Sequence, residues 1–138
     1  MANGLCRSAL RRTAEHLVAT DFAHSGSKLR DLPNLRARLA EMSVRTESSR
    51  SLLGLTLDHI EDPSEATPLF VLQCRLAALE AAVDVTDLAM KTCGGAAFSR
   101  HLPIERIFRD ARAGWVMAPT VDHLQDFIGR ALTGLPLF

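Results

Sequence analysis

Two adjacent glycines, Gly94 and Gly95, follow a long segment of helical periodicity, and their position suits two tasks. The first glycine is expected to take the left-handed conformation that ends a helix. Lys91 then lies in the last turn, set against the negative end of the helix dipole. The second glycine has no Cβ and lets another backbone or a cofactor come close. Further along, Glu105, Arg106, Arg109, Asp110 and Arg112 crowd charge into one short stretch. Their spacing makes Glu105–Arg109 and Arg106–Asp110 i,i+4 partners on one helix, so these charges read as architecture rather than as an acid–base site. Thr120 is a good N-cap for the helix after it. Asp122 and His123 are neighbours on that helix and point apart, which discounts them as a proton-transfer pair. His16, His59, His101 and His123 share no face with a carboxylate or thiol at ligand spacing, so no metal site is expected. Cys6, Cys74 and Cys93 have no CxxC spacing and read as buried thiols.

Five helical segments must position these residues. The first covers 3–20, with Leu5, Leu10, Ala14, Leu17 and Val18 along one face. A loop over 21–33 contains Ser25-Gly26-Ser27 and ends at Pro33, which suits a first helical turn. The second helix runs from Pro33 to Ile60, with Leu35, Leu39, Met42, Leu53, Leu57 and Ile60 as its stripe. Its middle, Arg45 to Arg50, is polar, so that part is wet or meets a polar partner. Glu61-Asp62-Pro63-Ser64 breaks the chain. The third helix continues to Cys93, and Leu76 to Val83 is apolar on several faces, which marks it as central. A short fourth helix covers 103–113, opened by Pro103, with Glu105 in its first turn and Arg112 in its last. The fifth follows Thr120, with Leu124, Phe127, Ile128, Ala131, Leu132 and Leu135 on one face. No strand or internal repeat is expected. The apolar tail Leu135-Pro136-Leu137-Phe138 suggests docking onto a neighbour.

Composition limits the function classes. The chain has 138 residues, enough for one domain over 1–138, and is 47% hydrophobic and 23% charged, as globular proteins are. Sixteen basic residues balance sixteen acidic ones, which leaves no electrostatic footprint for nucleic acid or an anionic membrane. Zero net charge also favours self-association. Arg7, Arg11 and Arg12 interrupt any apolar run near the start, so it does not read as a secretory signal, and no run is long enough to span a bilayer. A cytoplasmic location is the expectation.

The run Cys93-Gly94-Gly95-Ala96-Ala97-Phe98, then Pro103-Ile104-Glu105-Arg106, then Arg109-Asp110-Ala111, resembles the C-terminal signature of acyl-CoA dehydrogenases. The resemblance is strong from about Val85 to Leu132 and weaker before. It implies an all-α, up-and-down four-helix bundle with an extra short helix, preceded in complete relatives by an N-terminal helical domain and a middle β-domain. It implies FAD, with Gly94, Gly95, Lys91 and Thr120 as the candidate cofactor-binding residues. In the family the Gly-Gly turn packs on the FAD of a neighbouring subunit. Lys91 replaces the usual glutamine, and either approaches a diphosphate as a point charge or only compensates the dipole.

The family's α-proton base is a glutamate two residues before the threonine. Here that position is Ala118, which cannot take a proton, and Pro119 replaces the following glycine. The first loop usually carries an arginine on the diphosphate. Here it reads Phe22-Ala23-His24-Ser25-Gly26, where only Gly26 persists and His24 is either a phosphate donor or a solvated bystander. The resemblance implies α,β-desaturation of an acyl-CoA, within fatty acid metabolism, as the parent reaction. The isolated chain is expected to be inactive and to contribute FAD binding and assembly into a dimer or tetramer, or with a chain carrying the missing domains. Two alternatives stay open: a domain of a flavin-dependent monooxygenase of the same superfamily, and a non-catalytic oligomerisation bundle.

Overall fold

The computed structural model describes residues 1–21 and 26–137, so Phe22 to Ser25, with the candidate His24, and the terminal Phe138 lie outside the described residues. Five α-helices follow in order: α1 over Ala2–Ala19, α2 over Pro33–Glu61, α3 over Thr67–Cys93, α4 over Ile104–Val116 and α5 over Val121–Thr133. Two short 3₁₀ segments, Leu29–Asp31 and Gly94–Phe98, lie between α1 and α2 and between α3 and α4, and the described residues form no strand. The fold is all-α, as expected, and each helix lies within a few residues of its expected span. No helix among the described residues is long and apolar enough to cross a membrane.

α3 is the central element. It packs against α1, α2, α4 and α5, and α1 also packs against α2 and α4. The reason lies in its small residues. Ala81, Ala82, Val85 and Ala89 are buried, and face Cys6 and Ala9 of α1, Met42 of α2, and Ile104, Ile107 and Ala111 of α4 in one core. Short side chains let helix axes approach, and many small dispersion contacts replace a few large ones.

That close approach shifts the stripe of α1. Cys6, Ala9, Thr13 and Leu17 are the buried residues, while Val18 of the expected face is 49% exposed. Leu5 and Leu10 pack on the flanks of the core. α2 departs from expectation in the same way. Leu35, Met42, Thr46, Ser49 and Thr56 are buried, whereas Leu53, Leu57 and Ile60 are exposed. Its polar middle does meet a polar partner: the Ser49 hydroxyl donates to Asn3 Oδ1 of α1 at 2.6 Å. The Thr46 hydroxyl satisfies itself on the Met42 carbonyl at 2.7 Å. A buried hydroxyl with such a bond costs little to keep inside.

α5 packs on α3 through Val121 and Leu124, but Ala131, Leu132 and Leu135 are exposed, so only the first half of its expected stripe is covered. Cys6 and Cys93 are buried as expected, and Cys74 is half-buried. Burial pushes the Cys6 thiol up to about 11 and raises that of Cys93, so both stay protonated and inert near neutral pH.

Candidate functional site

Gly94 ends α3 as expected but not in the expected conformation. Its φ of 56° is positive while its ψ of −138° lies outside the left-handed helical region, in backbone space almost confined to glycine. From Gly94 the chain leaves α3 and enters the 3₁₀ segment at once. Gly95 follows with nothing within 4 Å of the place a Cβ would occupy. Within one chain its backbone is therefore open to an outside group. Lys91 is exposed and its ammonium pairs with Asp87 at 2.7 Å, one turn back on the same helix.

Beside this turn lies a cleft between α1 and the 3₁₀ segment, of about 400 Å³, lined in part by Arg12, His16, Ala96, Ser99 and His101. Arg12 lines this cleft, and its Nε, buried within the chain, bonds to no protein atom among the described residues. A buried donor without an acceptor is costly, and an anionic oxygen is the group that would satisfy it. Burial lowers the pKa of the neighbouring His16, whose Nδ1 lies 3.2 Å from the Thr20 hydroxyl.

Thr120 sits elsewhere. It occupies the N-cap position of α5, yet its hydroxyl makes no capping bond. The hydroxyl lies 3.0 Å from His123 Nδ1 instead, so the imidazole competes successfully with the backbone amides. The turn before it, Met117-Ala118-Pro119, is tied to α3 by Arg75. One terminal nitrogen of Arg75 donates to the three carbonyls of Met117, Ala118 and Pro119, at 3.4, 3.2 and 3.3 Å. Sixteen residues of α3 separate Arg75 from Lys91, roughly 24 Å of helix. The four candidate residues thus form two groups: Lys91, Gly94 and Gly95 at the C-terminal end of α3, and Thr120 with Ala118 towards the other.

The charges of α4 pair as architecture. Glu105 meets Arg109 at 2.8 Å and Arg106 meets Asp110 at 3.8 Å, both on the surface. Such exposed pairs contribute about 0–1 kcal/mol. Arg112 is not in a last turn, because α4 continues to Val116. It lies over the Phe108 ring at 3.3 Å, donates to the Thr86 hydroxyl at 3.2 Å and approaches Asp87 at 3.7 Å. Burial lowers its pKa, opposed by Asp87. Its task is to hold α4 on α3.

Neither Arg12 nor Arg75 stands out in the sequence. Arg12 is a half-buried cation on the inward side of α1, and Arg75 is an exposed cation on α3. Among the described residues no cluster of His, Cys, Asp or Glu could hold a metal ion.

Residues 1–133 match the family model of the acyl-CoA dehydrogenase C-terminal domain. The chain belongs to the acyl-CoA dehydrogenase family. It is 31% identical over 125 residues to the 3-sulfinopropanoyl-CoA desulfinase of Paraburkholderia xenovorans (strain LB400), covering 87% of this chain and 31% of that protein. It is 34% identical over 111 residues to the mitochondrial short-chain specific acyl-CoA dehydrogenase of Bos taurus, covering 80% of this chain and 26% of that one. In fold it matches the butyryl-CoA dehydrogenase of Megasphaera elsdenii with a TM-score of 0.86 at 23% identity, over 96% of this chain and 34% of the other. A glutaryl-coenzyme A dehydrogenase in complex with glutaryl-CoA matches equally, with a TM-score of 0.86 at 20% identity, over 99% of this chain and 34% of the other. The chain thus spans about a quarter to a third of the length of these relatives.

Proposed function

We propose that this chain is the C-terminal helical part of an acyl-CoA dehydrogenase-like flavoprotein, whose parent reaction is α,β-desaturation of an acyl-CoA thioester. Its share of the work is to bind one end of FAD and to assemble with further copies or with a chain carrying the remaining domains. The observation that carries the reading is the cleft beside the Gly94–Phe98 turn, lined by Arg12, whose buried Nε has no acceptor among the described residues. Arg12 lines the cleft beside Glu15, which pairs with Arg11, while Gly95 and Lys91 lie next to it at the end of α3, outside its lining; together they suit a diphosphate. Arg12 supplies the charge, Gly95 leaves its backbone uncovered, and Lys91 can exchange Asp87 for a phosphate oxygen as a point charge. FAD, when bound, supplies the hydride acceptor.

Thr120 lies too far from that cleft to serve the same phosphate. It serves either the other end of an extended cofactor or the cofactor of a neighbouring subunit, with its hydroxyl oriented by His123. Ala118 cannot remove a proton, so the base comes from outside this turn and the isolated chain is inactive. The same alanine favours a second reading: a flavin-dependent monooxygenase of the superfamily, or another non-dehydrogenating member, needs no glutamate there. A non-catalytic oligomerisation bundle is the third. A cytoplasmic location belongs to the proposal.

Purification followed by flavin absorbance tests the reading. Bound flavin that is lost in Arg12→Gln, with the helical content unchanged, supports it. Absence of flavin from the chain both alone and with its assembly partners overturns it in favour of the non-catalytic bundle. Bleaching of the flavin by acyl-CoA separates dehydrogenase from monooxygenase.

A further inference from the structure

Arg75 does more than tie down a turn. One of its terminal nitrogens holds the Met117–Pro119 carbonyls, while Nε and the other terminal nitrogen bond to no protein atom among the described residues. No carboxylate pairs with it there either, and Ala118 brings none. Two apolar clefts meet at this side chain. One, of about 340 Å³, lies between the start of α1, α3 and the end of α4, and reaches Ala118. The other, of about 290 Å³, lies between α1, the end of α2 and the start of α3, with Leu53, Ile60, Val71 and Cys74 on its walls. Among the described residues Arg75 is the only charged side chain lining the second cleft. In the first it shares the wall with Asp110, which is engaged with Arg106.

Arg75 is exposed, and a guanidinium already held at one terminal nitrogen by backbone carbonyls loses less freedom than a free one when its remaining donors meet an anion. Its planar fork matches a carboxylate or sulfinate. The surrounding wall would accept an alkyl chain but not an isolated charge.

We infer that Arg75 is a specificity-determining residue that selects acyl thioesters carrying an acidic group at the far end of a short acyl chain. This rests on the proposed acyl-CoA reading and narrows its substrate class. Only binding and orientation are assigned to Arg75, and no bond changes there.

The test compares glutaryl-CoA with pentanoyl-CoA, which has the same chain length and no terminal carboxylate. Calorimetric titration is done on the protein in its purified assembly, for wild type, Arg75→Gln and Arg75→Lys. The expected result is at least about threefold tighter binding of glutaryl-CoA by wild type, the size of one charge-assisted pair at an open site. That ratio falls to about one in Arg75→Gln, is partly kept in Arg75→Lys and shrinks with added salt. Because the readout is a ratio, a general loosening of the turn does not mimic it. Equal affinities in wild type, or a ratio untouched by Arg75→Gln, overturn the role of Arg75 and leave the acyl-CoA reading standing. Failure to bind either thioester overturns both.

Discussion

Replacing each glycine of the Gly94–Gly95 pair by alanine separates helix termination from ligand approach. Gly94 has a φ of 56° and a ψ of −138°, and nothing stands within 4 Å of an added Cβ. The penalty at Gly94 is thus pure backbone strain, about 1–2 kcal/mol for an L-residue held there. Gly95 has no positive φ and equal space. Alanine at Gly95 lowers only the entropy of the unfolded chain, a gain of about 0.4–1 kcal/mol. With 138 residues, the unfolding entropy near the midpoint is about 0.3 kcal/mol per degree. Gly94→Ala should therefore lower Tm by about 3–7 °C and Gly95→Ala raise it by about 1–3 °C. Thermal melts by circular dichroism at low protein concentration read both numbers. Flavin absorbance of the same preparations reads the second effect, since a Cβ at Gly95 enters the space left for an outside group and should weaken flavin retention. Two results refute the reasoning. If Gly95→Ala melts as low as Gly94→Ala, its backbone is strained after all. If Gly95→Ala keeps full flavin, the open face of the turn is not where the cofactor approaches.

Burial holds the pKa of His16 below its ordinary 6.5, so the unfolded chain binds that proton more tightly than the folded one. Stability should be full above about pH 6.5 and fall as the pH drops below it, and urea midpoints should show a shallower fall for His16→Gln. The chain with added FAD should reduce no artificial electron acceptor when given any acyl-CoA, since position 118 holds no base. Dye reduction above background would contradict that. Leu132 and Leu135 are 65% and 57% exposed, and sedimentation should find a dimer or tetramer that Leu132→Asp shifts towards monomer. A clean wild-type monomer at tens of micromolar, a rough working range, would count against association.

What the residues disclosed in advance follows from range. The central place of α3 was legible because Leu76 to Val83 is apolar on several faces, and a helix with several neighbours can cover such a surface. Gly94 was legible as a terminator because termination is local. The faces of α1 and α2 were misread because the weight fell on large aliphatic residues. The inward positions belong to Cys6, Ala9, Thr13, Thr46, Ser49 and Thr56, whose small size, with the Thr46 and Thr56 hydroxyls bonded to their own helix and Ser49 to Asn3, lets the helices close up. Thr120 looked like an ordinary cap because nothing local tells whether a hydroxyl will choose a backbone amide or His123. Arg12 and Arg75 were invisible as site residues. Their meaning comes from groups far away in the chain, a 3₁₀ turn in one case and three carbonyls in the other.

The straight run of α3 from Arg75 to Lys91 also constrains how this chain can change over time. Each residue of helix advances about 1.5 Å and rotates about 100°. Deleting one residue between them would swing the Gly94 corner a quarter-turn or more away from the α1 cleft while leaving the Ala118 turn in place. Only insertions or losses of near-integral turns keep both ends facing as they do, and even those change the span by about 5 Å or more. Substitution is therefore open to most of the surface of this helix, while its length is closed to variation. α3 acts as a gauge block between two distant contacts, and the loops around it, not the helix, are where related chains can differ in length.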